Sequence, residues 1–195
     1  MLVLRSLLFQ FLFYFLTLVI CLTAAPGVLL TRKFATRVET FWAHIMLWAL
    51  KATVGLDFEV RGRKHIPDGP MILASKHQSA WDTTIFHCLV EDPAYVLKKE
   101  LLSIPIYGWY LQRTKMISID REAGPSALRR MLRQADEALG RGRSVVIFPE
   151  GTRTTPGTRH PYQPGTAAPH PQLALAVVPV APNSWLLAGR PRCPR

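Results

Sequence analysis

No charged residue interrupts the chain between Arg5 and Arg32. Leu, Phe, Val and Ile dominate this stretch, and residues 7–30 exceed the ~20 apolar residues that a helix needs to cross the hydrocarbon core of a bilayer. In lipid, main-chain polar groups must be satisfied within the segment, so such a run is expected to be a helix in contact with membrane. Pro26-Gly27 is where the run can bend into a re-entrant or interfacial turn. A cleaved leader is the competing reading, with Arg5 as its basic start and Thr23-Ala24-Ala25 as its small-residue cleavage site. Its apolar core is longer than the ~7–15 residues usual for a leader. Ile20 before Cys21 removes a lipid-modified cysteine, because a small residue is expected there. A retained anchor is therefore expected. Arg32, Lys33 and Arg37 would hold its far end at an anionic cytoplasmic surface. Val38, Phe41, Trp42, Ile45, Trp48, Ala49 and Ala52 then recur at helical spacing as far as Val54. That helix either lies in the interface through Trp42, Trp48 and Lys51 or packs on the following domain.

From Gly55 onward the pattern changes to short apolar runs separated by helical stretches. Leu56, Phe58 and Val60 alternate with Asp57, Glu59 and Arg61, as in a half-buried strand. Pro70-Met71-Ile72-Leu73-Ala74, Tyr95-Val96-Leu97, Met116 to Ile119, Ser144 to Phe148 and Val177-Val178 read as further strands. Between them, Thr83 to Val90, Ile104 to Arg113 and the stretch after Gly124-Pro125-Ser126 read as helices. In the last of these, Leu128, Met131, Leu132, Ala135 and Leu139 form one apolar stripe. Strands alternating with helices imply an α/β fold, a mainly parallel sheet covered on both sides. Residues 1–54 are expected to be membrane-anchoring and interfacial helices, and residues 55–195 the α/β domain.

The 195 residues carry 24 Lys and Arg against 13 Asp and Glu, a formal net charge of +11. A basic balance of this size implies a polyanionic partner. The basic residues are scattered among apolar blocks, with no recognition helix and no aromatic-studded sheet, which argues against nucleic acid. An anionic membrane surface and phosphate are favoured. Cys21, Cys88 and Cys193 have neither metal nor disulfide spacing, which fits a reducing compartment. His77, Asp82 and His87 lack the spacing of a zinc motif, so no metal is expected.

Two strand-to-turn stretches carry the chemistry. Ser75-Lys76-His77-Gln78-Ser79-Ala80-Trp81-Asp82 places a histidine where a strand gives way to a helix, the edge at which α/β sites gather. A carboxylate five positions on can hold one ring nitrogen's proton and leave the other nitrogen to take a proton from an alcohol. Alone, the pattern is equally a surface histidine beside an Asp cap. Val145-Val146-Ile147-Phe148-Pro149-Glu150-Gly151-Thr152-Arg153 is the second stretch. Together the two resemble the motifs of the glycerolipid acyltransferases, especially the bacterial 1-acyl-glycerol-3-phosphate acyltransferases. Ile117-Ser118-Ile119-Asp120-Arg121 and Val177-Val178-Pro179-Val180-Ala181 match two more blocks of that family, in the family's order. The resemblance runs from about Phe58 to Ser184.

The resemblance implies transfer of a fatty acyl group from acyl-CoA or acyl-carrier protein to the sn-2 hydroxyl of lysophosphatidate, forming phosphatidate. It implies an enzyme at the cytoplasmic face of the inner membrane that uses no cofactor beyond the acyl co-substrate. His77 would be the base and Asp82 its orienting partner. Arg121 and the turn Glu150, Gly151, Thr152 and Arg153 would bind the glycerol phosphate, and Pro179 would shape the wall beside the thioester. The chemistry agrees: a thioester is already activated, so no protein nucleophile is needed, and arginine offers phosphate a planar fork. Glu150, unable to bind phosphate, would bond a glycerol hydroxyl or position Arg153. For Arg121 and Arg153 the plainer alternative is surface ion pairing, and for Pro179 a strand end. Cys88 in an apolar helix is expected to be inert, and Ser79 to cap the helix start. Lys98, Lys99 and Lys115 are looser phosphate candidates whose default is a solvated surface.

Other acceptors, water as acceptor, and a non-catalytic phosphate-binding remnant remain as alternatives. The last arises because Pro169 and Pro171 would break the helix that family members carry between the second and last motifs. In addition, the basic tail Gly189-Arg190-Pro191-Arg192-Cys193-Pro194-Arg195 stands where the family's closing elements are expected.

Overall fold

The computed structural model describes residues 2–120, 123–154, 158, 160–163 and 176–184. Two long helices open it, α1 (Leu2–Leu30) and α2 (Arg32–Val54). Thr31 is the whole connection: its side chain accepts from the Phe34 amide at 3.2 Å and caps α2. Arg5 Nε donates to the Thr53 carbonyl, Trp42 Nε1 to Thr17 Oγ1, and the Phe13 and Trp42 rings meet edge to face at 5.9 Å. These contacts pair the start of α1 with the end of α2, so the helices form an antiparallel hairpin. The reversal falls after Leu30 and not at Pro26-Gly27, where the run could have bent, because α1 continues through Pro26. Residues 3–30 of α1 are long and apolar enough to cross a membrane, with mean hydropathy 2.3.

α2 buries Ala35, Ala43, Met46, Ala49 and Leu50 and leaves Phe41 and Trp48 exposed. The small residues let neighbouring helices approach, while the bulky rings of the expected stripe face outward. Gly55 ends α2 in the left-handed region (φ 77°), its amide donating to the Lys51 carbonyl. The expected strand at Leu56–Val60 does not form. Its alternation finds no neighbouring ladder: Asp57 accepts from the Phe58 amide, Glu59 pairs with Arg61, and Phe58 packs edge to face on Trp81.

The domain alternates β1 (Ile72–Ser75), α3 (Trp81–Leu89), β2 (Ala94–Lys98), α4 (Tyr107–Arg113), β3 (Ile117–Ile119), α5 (Gly124–Leu139), β4 (Val145–Ile147) and β5 (Val177–Val180). The five strands form one parallel sheet in the order β3-β2-β4-β1-β5. Alternation along the strands feeds two cores. Ile72, Ala94, Ile117, Val145 and Ile147 pack against Met131, Ala135, Ala138 and Leu139 of α5. Leu73, Tyr95 and Val146 pack on the other face with Ile85, Phe86, Leu111 and Met116. β1 and β4 lie side by side, yet the chain leaves β1 toward β2 and β4 toward β5. A crevice is expected at the carboxyl ends of such a pair.

Polar contacts fasten the hairpin to the domain at the opposite edge. Arg32 Nη2 reaches both oxygens of Asp92, and Arg143 Nη2 lies 3.1 Å from the same carboxylate. Arg143 is buried and also donates to the carbonyls of Asp92, Lys115 and Pro93. Tyr110 donates to the Cys21 carbonyl and Arg113 to the Leu30 carbonyl. Thr114 Oγ1 lies 2.9 Å from Glu39 Oε1 and 2.8 Å from the Tyr110 carbonyl. Burial pushes Glu39 up to about 8, against the pull of Thr114 and Arg143.

His87, in α3, is buried against Tyr95 with ring centroids 4.9 Å apart. Burial pushes its imidazole down to about 4, against the pull of Asp92. The unfolded chain takes up a proton near its ordinary pKa of ~6.5, whereas the folded protein resists until about 4. Stability is therefore lost as pH falls through this window, by about 3 kcal/mol at its lower end. Replacing His87 with phenylalanine, which keeps a ring against Tyr95, is expected to remove that component of acid destabilisation. Thermal unfolding from pH ~7 to ~5 measures it; an unchanged slope in the variant would assign the loss to other groups.

Candidate functional site

The expected base and its carboxylate meet at the carboxyl end of β1. His77 Nδ1 lies 3.2 Å from Asp82 Oδ2. That oxygen also accepts from the amides of Gln78 (2.6 Å) and Ser79 (2.8 Å). Asp82, in the first turn of α3, thus caps the loop and orients the ring at once, joining what the sequence offered as two alternatives. Ser79 Oγ accepts from the Trp81 amide at 3.2 Å, but Ser79 stands one residue before the N-cap position, which Ala80 occupies with no side-chain cap bond, so the expected cap is displaced by one residue.

Burial pushes the Asp82 carboxyl up, but hydrogen bonding from His77 and the Ser79 and Gln78 amides, with Ser184 close by, outweighs it and holds the group below its ordinary value. The Ser184 hydroxyl is near enough to favour the carboxylate, yet neither it nor Asp82 Oδ1 makes a hydrogen bond among the described residues. An ionised carboxylate only accepts, so the His77 proton must sit on Nδ1. Nε2, which makes no hydrogen bond among the described residues, then carries the lone pair. The ring is only 14% exposed and stacks on Phe148 at a centroid distance of 4.3 Å.

The turn after β4 lies against the His77 loop because β4 and β1 are neighbours in register, Ile147 opposite Ala74. Glu150 is buried; its Oε2 accepts from the His77 amide at 3.3 Å, and its Oε1 lies 3.8 Å from Lys76 Nζ. Its carboxylate therefore faces the His77 loop. Gly151 takes φ 67°, a left-handed conformation that favours glycine. Thr152 and Arg153 are exposed, and Arg153 has no ion pair or hydrogen bond among the described residues. Pro179 is exposed on β5, opposite Ala74 on the strand leading to His77. Arg121 lies outside the described residues.

Of the looser candidates, Lys98 ends β2 and Lys99 follows it on this same edge, and Lys99 pairs with Asp120 at 3.2 Å. Lys115 precedes β3 at the opposite edge. No three His, Cys, Asp or Glu side chains converge on a common point among the described residues. Sequence reasoning missed Lys76, Phe148, Thr154 and Ser184 as neighbours of the pair. Phe148 and Thr154 flank the Glu150–Arg153 turn, so their adjacency to the motif was the available signal.

A family model described as Acyltransferase matches residues 57–182. A 1-acyl-sn-glycerol-3-phosphate acyltransferase of Pseudomonas aeruginosa is 38% identical over 156 residues, covering 78% of this chain and 61% of that protein. A lyso-ornithine lipid O-acyltransferase of the same organism is 31% identical, covering 69% of this chain and 51% of that one. The crystal structure of the 1-acyl-sn-glycerophosphate acyltransferase of Thermotoga maritima superposes with a TM-score of 0.64 at 28% identity, over 81% of this chain and 66% of that one. The chain spans about half to three fifths of the length of these curated relatives. The family model takes in both strand-to-turn stretches and every strand of the sheet, and on that match this chain belongs to the acyltransferase family.

Proposed function

We propose that this protein transfers a fatty acyl group from acyl-CoA or acyl-carrier protein to the sn-2 hydroxyl of 1-acyl-glycerol-3-phosphate, releasing phosphatidate and the free thiol. The observation that carries the reading is the His77–Asp82 pair at the sheet edge, with Nε2 unpaired among the described residues. His77 Nε2 takes the acceptor hydroxyl's proton as that oxygen attacks the thioester carbonyl. Asp82 holds the Nδ1 proton and stabilises the imidazolium that forms. The tetrahedral adduct collapses with loss of the thiolate, which takes the proton back from Nε2. Arg153, exposed and unpaired among the described residues, supplies the fork for the acceptor phosphate, with Gly151 and Thr152 in the same turn; Arg121 is assigned to the same phosphate by the motif it belongs to. Glu150, turned to His77 and Lys76, serves the loop rather than the glycerol. Pro179 borders the thioester.

The setting is a membrane, with the domain at the cytoplasmic face. The charge-free run of α1 from Ser6 to Leu30 supports the membrane setting, as do Phe41 and Trp48 on the outside of α2. Near α1, Tyr107 and Trp109 of α4 are also exposed, and such rings suit the polar–apolar boundary of a bilayer. The likeness to a lyso-ornithine lipid acyltransferase supports a second reading, a lysolipid acceptor without glycerol phosphate.

One experiment separates these readings. Membranes carrying the protein are washed in ~1 M salt, which screens a purely electrostatic attachment. They are then given labelled acyl-CoA with lysophosphatidate or a phosphate-free lysolipid. Labelled phosphatidate is expected. Turnover of the phosphate-free lysolipid alone would favour the second reading, free fatty acid alone would indicate hydrolysis, and loss of the protein in the wash would overturn the anchor.

A further inference from the structure

His77 is held by its main chain as well as by its ring. Its amide donates to Glu150 Oε2. Its carbonyl accepts from the Thr154 amide at 2.8 Å and from the Thr154 hydroxyl at 3.2 Å. Thr154 is 4% exposed, so these bonds form away from water. The turn after β4 thus grips the His77 backbone on both sides, by Glu150 before the turn and Thr154 after it. Phe148, at the head of the same turn, fixes the plane of the ring.

We propose that Thr154 is a positioning residue for His77. The inference rests on the reading of His77 as the base. The Thr154 amide supplies one bond to the His77 carbonyl, and the hydroxyl supplies a second along the oxygen's other lone pair. Two bonds from one residue resist rotation of the His77 peptide, where one permits it. The peptide sets the direction of the Cα–Cβ bond, and with it the place of Nε2 relative to the acceptor oxygen. Proton abstraction requires those atoms within about 2.6–3.2 Å, and displacement by ~1 Å costs about a hundredfold. The same turn carries Arg153, so the residues proposed to hold the acceptor and those holding the base's backbone form one rigid piece.

The test compares Thr154→Val, which keeps the shape and the amide but removes the hydroxyl, with Thr154→Ser, which retains it. Thr154→Val is expected to lower kcat about tenfold, with both KM values within about twofold, while Thr154→Ser keeps kcat within about threefold. A Thr154→Val kcat within twofold of wild type would overturn the proposal. So would an equal loss in Thr154→Ser, or a loss confined to one substrate's KM, which would make Thr154 a substrate contact. Thr154→Ala gives the same comparison if the valine variant folds poorly.

NMR of protein labelled in the histidine ring reads the ring directly. The Nδ1 proton bonded to Asp82 is expected to be sharp in wild type and Thr154→Ser and broadened in Thr154→Val. An unchanged signal would overturn the proposal. If the signal responds while His77→Ala still transfers acyl groups, the grip on His77 stands and the base assignment is what fails.

Discussion

His77→Ala is expected to lower acyl transfer at least about a thousandfold, with the protein still folded and still in the membrane. A positioned general base contributes about a hundred- to ten-thousandfold. The ring's own contacts in the fold are the Nδ1 bond to Asp82 and the stack on Phe148; Nε2 is unpaired among the described residues, and the Glu150 and Thr154 contacts go to the His77 main chain, which alanine keeps. Loss of the ring therefore leaves those bonds in place, although Phe148 loses its stacking partner. Asp82→Asn is expected to fall nearly as far by a different route. The side-chain carbonyl of asparagine can still accept from Gln78 and Ser79, but its amide can also donate, so Nδ1 is no longer obliged to carry the proton. Steady-state rates on salt-washed membranes, beside thermal unfolding of each variant, check both. Transfer by His77→Ala within a few-fold of wild type would remove His77 from the mechanism.

The His77–Asp82 pair was legible because both partners lie in one short stretch, and five residues across a strand-to-helix turn confine their separation. Nothing local says that Phe148 covers the ring or that Glu150 and Thr154 hold the backbone. Those contacts exist because β4 lies beside β1, and adjacency between distant strands depends on which faces the helices cover. The strands themselves were readable where the apolar run was continuous. Ile72–Ser75 and Val145–Ile147 are buried on both faces and need no alternation. Leu56, Phe58 and Val60 had the alternation without a partner strand, and pattern alone cannot supply one. In α2 the pattern left the stripe either at the interface or packed on the domain; the structure leaves Phe41 and Trp48 exposed and buries Ala49 of that stripe together with Ala35 and Ala43, which lie outside it. Pro26-Gly27 offered a place to bend, yet proline removes a single helical hydrogen bond, and the connection at Thr31 is what reverses the chain.

Arg153→Ala is expected to raise the KM for lysophosphatidate about ten- to a hundredfold and to leave the KM for the acyl donor nearly unchanged. Losing a charged hydrogen bond to phosphate costs roughly 1.5–3 kcal/mol, which is that range of affinity. The guanidinium is exposed on the turn whose other residues grip His77, and no carboxylate among the described residues competes for it. A surface arginine without an ion pair contributes little to stability, so the variant is expected to unfold at the wild-type temperature. Arg153→Lys is expected to recover only part of the affinity, because an ammonium keeps the charge and loses the planar fork. A phosphate-free monoacylglycerol acceptor makes the sharper comparison. Its turnover is expected to be the same in wild type and Arg153→Ala, since neither protein has a phosphate to hold. A fall as large as that with lysophosphatidate would show that Arg153 shapes the turn, and through Glu150 and Thr154 the base, rather than the acceptor's charge.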